Sequence, residues 1–104
     1  MSEHSLPLAI PAGHAAYAGH FPGRPILPGV VLLDEALHAL ATAHGRQAAT
    51  GQIRAAKFLS PVTPGEALRL DYAETAPGVF RFTVAADART VASGVFAFDP
   101  GTAA

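Results

Sequence analysis

Two groups that can move protons lie on either side of a stiff segment in the stretch "GHFPGRPILPGVVLLDEALHAL", residues 19–40. His20 precedes three prolines that hold the chain extended, and Asp34 and His38 interrupt the apolar run that follows. Histidine, with an ordinary pKa of about 6.5, accepts protons near neutral pH. A carboxyl group in an apolar setting can hold a proton and donate it. Because a buried charge is costly without a partner or a task, the pattern predicts acid–base chemistry here.

Pro28 and Gly45 mark the ends of a predicted helix. Proline is favoured at the start of a helix and glycine just after its end, so we expect a helix from Gly29 to about His44. The segment is apolar nearly all round and is therefore expected to be buried on most sides. The N–H groups of Gly29 and Val30 would have no acceptor within this helix, so they could donate to an oxyanion.

After Gly51 the hydrophobic pattern changes to a period of two, which predicts strands. The last strand is apolar on both faces and is expected inside the sheet, and Pro77-Gly78 predicts a hairpin turn. One helix followed by antiparallel strands predicts an α+β fold in which a sheet wraps around a buried helix. The predicted strands are 6–11, 52–59, 68–72, 80–84 and 90–98.

Composition narrows the class of protein. The chain has 104 residues and is expected to form one domain, 1–104, with frayed ends at 1–5 and 99–104. Half of the residues are hydrophobic, 14% are charged and the net charge is −1, so we expect apolar surface for a partner or lipid-like ligand and no nucleic-acid binding. The absence of cysteine excludes thiol nucleophiles and cysteine zinc sites. With neither a signal-peptide pattern nor a long apolar run, the expected location is the cytoplasm, without a membrane span.

Two segments resemble recurring motifs of the β-hydroxyacyl-acyl-carrier-protein dehydratases, a family with the hot-dog fold. The family's G-H-F-P-G-x-P-x-x-P-G stretch matches residues 19–29, and its K-F-x-x-P-V-x-P-G-E stretch matches 57–66. The family's catalytic carboxylate, fourteen positions after its histidine, falls on Asp34. The resemblance implies an antiparallel sheet wrapped around one central helix.

His38 stands where the family usually has glutamine, and Glu35 stands where a small residue is common. These departures make the chain more similar to short dehydratase-like proteins of polyketide, aryl-polyene or other acyl-chain pathways.

The resemblance implies removal of water from a (3R)-3-hydroxyacyl thioester to give a trans-2-enoyl thioester, without a cofactor or a metal. His20 would be the base, and Asp34 would protonate the leaving hydroxyl or position a water or the histidine. The N–H groups of Gly29 and Val30 would bind the thioester oxygen. His38 would replace glutamine in orienting the Asp34 carboxylate, with a packed core histidine as the alternative.

Further residues are candidates for binding the substrate and its carrier. Phe21, Leu27 and Phe58 are expected to line an acyl tunnel or to belong to the core. Arg24 and Lys57 are expected to dock an acidic acyl carrier protein that bears the substrate on phosphopantetheine. The family geometry also implies a homodimer in which the histidine of one subunit meets the carboxylate of the other.

Two alternatives stay open. A hot-dog thioesterase would hydrolyse the thioester with a carboxylate and water, and it would not need His20 beside the prolines. A non-catalytic acyl-binding subunit would pair with an active homologue, and loss of the histidine or the acid would favour it. Both residues are present here. Acyl length, carrier protein versus coenzyme A, and isomerisation of the product stay undetermined.

Overall fold

The structure, a computed structural model, describes residues 3–8, 10, 27–47, 50–63 and 65–98, which form one α-helix and five β-strands. This arrangement confirms the predicted α+β class. In chain order the elements are β1 (His4–Leu8), α1 (Gly29–Ala43), β2 (Gly51–Phe58), β3 (Leu68–Ala76), β4 (Val79–Ala86) and β5 (Arg89–Phe98).

The five strands form one antiparallel sheet in the order β1-β3-β4-β5-β2. β5 lies between β4 and β2, as its two apolar faces predict. The hairpin between β3 and β4 turns at Pro77-Gly78, where Gly78 has a φ of 76° that favours glycine. β1 begins earlier than predicted. His4 and Ser5, expected in a frayed end, instead pair with Tyr72 and Asp71 of β3.

Aromatic side chains fill the space between the sheet and the helix. Phe80, Phe82 and Phe96 are buried, and the rings of Phe82 and Phe96 stack with their centroids 4.0 Å apart. Leu40 of α1 is equally buried against this layer. Each such side chain stabilises the fold by about 1.5–3 kcal/mol, so this layer fixes the helix on the sheet.

Both ends of α1 follow the sequence signals. The helix begins at Gly29, directly after Pro28. It ends in a Schellman motif in which Gly45 has a φ of 65° and the Arg46 N–H donates to the Ala41 carbonyl at 2.8 Å. The predicted bounds of the helix are therefore confirmed to within one residue.

The burial of α1 differs from the prediction, because within the single chain only one face of the helix is covered. The sheet covers that face, and a stripe of Val30, Asp34 and His38, spaced four residues apart, stays exposed. A helix packed on one sheet keeps a free side whatever its composition. The buried residues are Leu32, Leu33, Ala36, Leu37, Leu40 and Ala41.

The helical part of the described chain has neither the length nor the apolar character needed to cross a bilayer.

Candidate active site

Asp34 and His38 lie one turn apart on the exposed stripe of α1. The Nδ1 of His38 lies 2.8 Å from the main-chain oxygen of Asp34. A carbonyl oxygen can only accept, so this nitrogen carries the hydrogen and donates it. The same Nδ1 is 3.4 Å from the carboxylate oxygen Oδ1 of Asp34. The expected pair is therefore brought together, with the imidazole bound to the backbone and the carboxylate close beside it.

The carboxylate of Asp34 faces solvent in the single chain. Its side chain is 64% exposed, and that of His38 is 59% exposed. The burial predicted for Asp34 from its apolar neighbours in sequence is therefore wrong for the single chain. Those neighbours turn toward the sheet, while Asp34 lies on the opposite side of the helix.

An open cleft of about 520 Å³ adjoins the N-terminal end of α1. Leu27, Gly29 and Val30 form one wall, and Phe58 with the segment 59–62 forms the other. A hydrogen bond from the Leu27 N–H to the Val62 carbonyl, 2.9 Å long, joins the two walls. The volume falls within the range of small-molecule sites, and most of the lining is apolar, so an acyl chain fits its chemistry. Motif reasoning singled out Leu27 and Phe58 but overlooked segment 59–62, although that segment lies inside the matched 57–66 stretch.

Phe58 and Gly29 approach each other closely at the mouth of this cleft. A Cβ on residue 29 would lie 2.6 Å from Cε1 of the Phe58 ring, closer than nonbonded atoms tolerate. Glycine therefore permits the aromatic ring to lie directly against the start of the helix.

The first N–H groups of α1 border the cleft. The N–H groups of Val31 and Leu32 both donate to the Pro28 carbonyl, at 3.0 and 3.1 Å. Those of Gly29 and Val30 come earlier and have no acceptor within the helix. They lie at the positive end of the helix dipole, where they can donate to a carbonyl oxygen that gains negative charge.

Glu66 fixes the turn that follows the cleft wall. Its Oε2 accepts hydrogen bonds from the Thr63 N–H at 2.8 Å and the Thr63 hydroxyl at 3.1 Å, and its Oε1 lies 2.6 Å from Arg89. The Thr63 N–H, and to a smaller extent Arg89, lowers the pKa of the Glu66 carboxyl below its ordinary value. Arg89 also donates to the Pro61 carbonyl at 3.2 Å, so the wall is tied to the start of β5.

Of the other site residues predicted from the sequence, the structure describes only Lys57. His20, Phe21 and Arg24 lie outside the described residues. Lys57 is exposed on β2, next to Phe58. Within the described residues, no group of three or more His, Asp or Glu side chains is arranged to hold a metal ion.

Comparison with known proteins places the chain among the dehydratases. Residues 1–95 match the ApeI-like family, described as ApeI dehydratase. The 3-hydroxyacyl-[acyl-carrier-protein] dehydratase FabZ of Granulibacter bethesdensis is 34% identical over 101 residues, which cover 85% of this chain and 59% of that protein. FabZ of Ligilactobacillus salivarius is 40% identical over 62 residues, covering 53% of this chain and 44% of that protein. The chain thus spans about half the length of these curated relatives.

Solved structures support the same fold. A chain of the dehydratase heterocomplex ApeI:P from Xenorhabdus doucetiae matches with a TM-score of 0.72 at 27% identity, covering 91% of this chain and 85% of that chain. The fluoroacetyl-CoA-specific thioesterase FlK, in its F36A variant, matches with a TM-score of 0.65 at 11% identity, covering 96% and 94%, which shows a shared fold alone. These likenesses confirm the predicted hot-dog fold, and the family match shows that the chain belongs to the ApeI-like dehydratases.

Proposed function

We propose that this protein removes water from 3-hydroxyacyl thioesters to give trans-2-enoyl thioesters. Membership of the ApeI-like dehydratases supports the reaction class. The observation that carries the proposal is the position of Asp34, an exposed carboxylate one helical turn beyond Val30, which lines the apolar cleft. A carboxyl group beside an acyl-sized cleft can protonate a leaving hydroxyl.

The proposed reaction assigns one task to each group. The acyl chain lies in the cleft, and the thioester oxygen accepts hydrogen bonds from the N–H groups of Gly29 and Val30. His20 takes the α-proton, and the electrons of that C–H bond form the new double bond. The C–O bond to the hydroxyl breaks, and Asp34 gives its proton to the departing oxygen, which leaves as water. After the step, His20 carries a proton and Asp34 has lost one.

We propose further that two copies of the chain share each active centre. β2 forms hydrogen bonds only to β5 among the described strands, so its other edge offers unpaired backbone groups to another strand. The large hydrophobic side chains that stay exposed cluster on β2 and beside it: Val30, Ile53, Phe58 and Leu59. A second copy paired through β2 would cover these residues, and the geometry implied by the family resemblance would then have its His20 meet Asp34.

The proposed substrate is carried by an acyl carrier protein, in the cytoplasm. The names of the relatives, 3-hydroxyacyl-[acyl-carrier-protein] dehydratases, support this carrier. Lys57, exposed beside the cleft residue Phe58, is a cation suited to an acidic carrier.

Incubation of the purified protein with 3-hydroxyacyl thioesters of several chain lengths tests the reaction. We expect an enoyl thioester, detected by its absorbance and by the mass loss of one water, without release of free thiol. Free thiol without an enoyl product would identify a thioesterase instead. Acyl-thioester binding without either product would favour the non-catalytic subunit.

Replacing Asp34 tests the assigned acid. Asp34→Asn should lower kcat by at least about 100-fold, within the usual range for acid–base groups, while stability stays unchanged because the side chain is exposed. Asp87→Asn is the matched control. Asp87 is an exposed turn residue with a φ of 52°, which asparagine tolerates, so this variant should keep full activity. Near-normal turnover of a folded Asp34→Asn protein would contradict the assignment.

A further inference from the structure

The exposed stripe of α1 places Asp34 between the cleft and a second titratable side chain. Val30, one turn before Asp34, lines the cleft, and His38 lies one turn after it. Asp34 therefore lies between a residue of the cleft wall and an imidazole along the same face of the helix. Nothing in the proposed dehydration step uses that imidazole.

The hydrogen bonding of His38 leaves one ring nitrogen available. Nδ1–H donates to the Asp34 carbonyl at 2.8 Å, so in the neutral ring Nε2 holds the lone pair. Among the described residues, no hydrogen bond engages Nε2, and the side chain is 59% exposed. The ring is thus anchored at one nitrogen and faces solvent with the other.

The carboxylate of Asp34 lies near this ring without being clamped by it. Its Oδ1 is 3.4 Å from Nδ1, somewhat beyond a strong hydrogen bond. The shorter contact of Nδ1 is to the main chain. Because the Asp34 side chain is exposed, a shift of a few tenths of an ångström would allow the Nδ1 proton to reach the carboxylate. This arrangement suits transfer of a proton better than rigid orientation of the carboxylate.

The proposed reaction requires such a transfer in every cycle, and the present inference rests on that proposed function. Each dehydration moves one proton from Asp34 to water and one from the substrate to His20. A second turnover begins only after His20 has lost its proton to solvent and Asp34 has regained one. A second copy that covers Val30 and Asp34 but leaves His38 in contact with solvent would keep bulk water away from the carboxylate, so the proton would need a path.

We propose that His38 is a positioning residue that returns the proton to Asp34 after each turnover. A proton from water binds Nε2, and the proton on Nδ1 passes to the Asp34 carboxylate. The ring then regains its Nδ1–H form by exchange with water. The proton that His20 releases to solvent balances the one that His38 takes up, so no further reactant is consumed.

Comparing the first turnover with steady state tests this proposal. In His38→Gln, glutamine can still donate a hydrogen bond but cannot relay a proton. With enzyme in excess over 3-hydroxyacyl thioester, we expect the enoyl product to form within about twofold of the wild-type rate, because a single turnover does not depend on the return of a proton to Asp34. In steady state, kcat should fall by about tenfold and recover on addition of free imidazole.

His44→Gln is the matched control. His44 lies at the end of the same helix, but its Nε2 contacts the Tyr72 hydroxyl at 3.1 Å rather than Asp34. This variant should show neither the steady-state loss nor a response to imidazole.

Three results would overturn the relay. Unchanged kcat in His38→Gln would show that the return path does not involve His38. Equal losses in the first turnover and in steady state, without rescue by imidazole, would assign His38 to orientation or packing. If the wild-type protein forms no enoyl product even in the first turnover, the proposed dehydration is contradicted, and the relay that depends on it is contradicted too.

Discussion

The Phe58 ring occupies the space beside the Cα of Gly29, with Cε1 only 2.6 Å from the position of a Cβ on that residue. This contact joins the edge strand β2 to the start of α1. The two elements that form the walls of the cleft are therefore held in contact at its mouth.

A side chain at position 29 should disturb this junction. Gly29→Ala should lower the free energy of unfolding by at most about 1 kcal/mol, since the new methyl group collides with the ring but Phe58 is 52% exposed and its ring can move aside. The measurement is denaturant unfolding, read as a lower midpoint at unchanged m-value. In the Phe58→Ala background the ring is absent, so adding Gly29→Ala should lower the free energy of unfolding much less than it does in the wild type. If Gly29→Ala is as stable as the wild type, the ring turns away freely and the contact does not constrain the cleft.

The Glu66 carboxyl should make the free energy of unfolding depend on pH. Its pKa in the folded protein lies below the ordinary value of 4.5, chiefly because it accepts the Thr63 N–H hydrogen bond. Such a group stabilises the fold above its unfolded-state pKa and loses that contribution as the pH falls through its folded-state pKa. Glu66→Gln should therefore be less stable than the wild type at pH 7, by about 1 kcal/mol.

The stability gap between wild type and Glu66→Gln should narrow on acidification. Urea unfolding of both proteins, at neutral pH and again below the ordinary pKa of glutamate, measures it. A gap that stays constant or widens in acid would show that the Glu66 charge does not hold the turn.

Local sequence signals predicted the elements well. Pro28 and Gly45 marked the ends of α1, because proline starts a helix without losing a hydrogen bond and glycine adopts the positive φ of a Schellman motif. Alternating side chains located β3 and β4, whose inward residues, such as Leu70 and Phe82, are fully buried.

Features that depend on long-range packing were not predictable in this way. The exposure of Asp34 follows from which face of α1 the sheet covers. The four-residue spacing of Asp34 and His38 places them on one face, but it does not say whether that face is covered. The edge position of β2 follows from the strand order, which local periodicity does not encode. The hydrogen bond from the His38 ring to the main-chain oxygen of Asp34 depends on the rotamer of His38. Motif spacing therefore predicted only that the two residues lie close together.

Lys57 should contribute to docking of the carrier protein. Lys57→Glu should lower kcat/KM for carrier-linked substrates by about tenfold at low salt, and less for coenzyme A thioesters, because the charge change repels an acidic partner. Arg81→Glu is the matched control, since Arg81 is an exposed cation on β4 and its reversal alters net charge equally. Equal losses for the two variants would assign the effect to net charge alone. Arg24→Glu, in the motif of residues 19–29, should likewise lower kcat/KM more for carrier-linked substrates than for coenzyme A thioesters.

If His20 of one subunit and Asp34 of the other form one active centre, mixing two inactive variants in equal amounts should restore part of the activity. His20→Ala and Asp34→Ala proteins are each expected to be inactive. After subunit exchange, random pairing makes about half of the dimers mixed, and each mixed dimer has one intact site of its two. We therefore expect about a quarter of wild-type dehydration activity to return. If exchange is verified by mass spectrometry of the intact dimers and no activity returns, His20 and Asp34 do not form an active centre across the subunit interface.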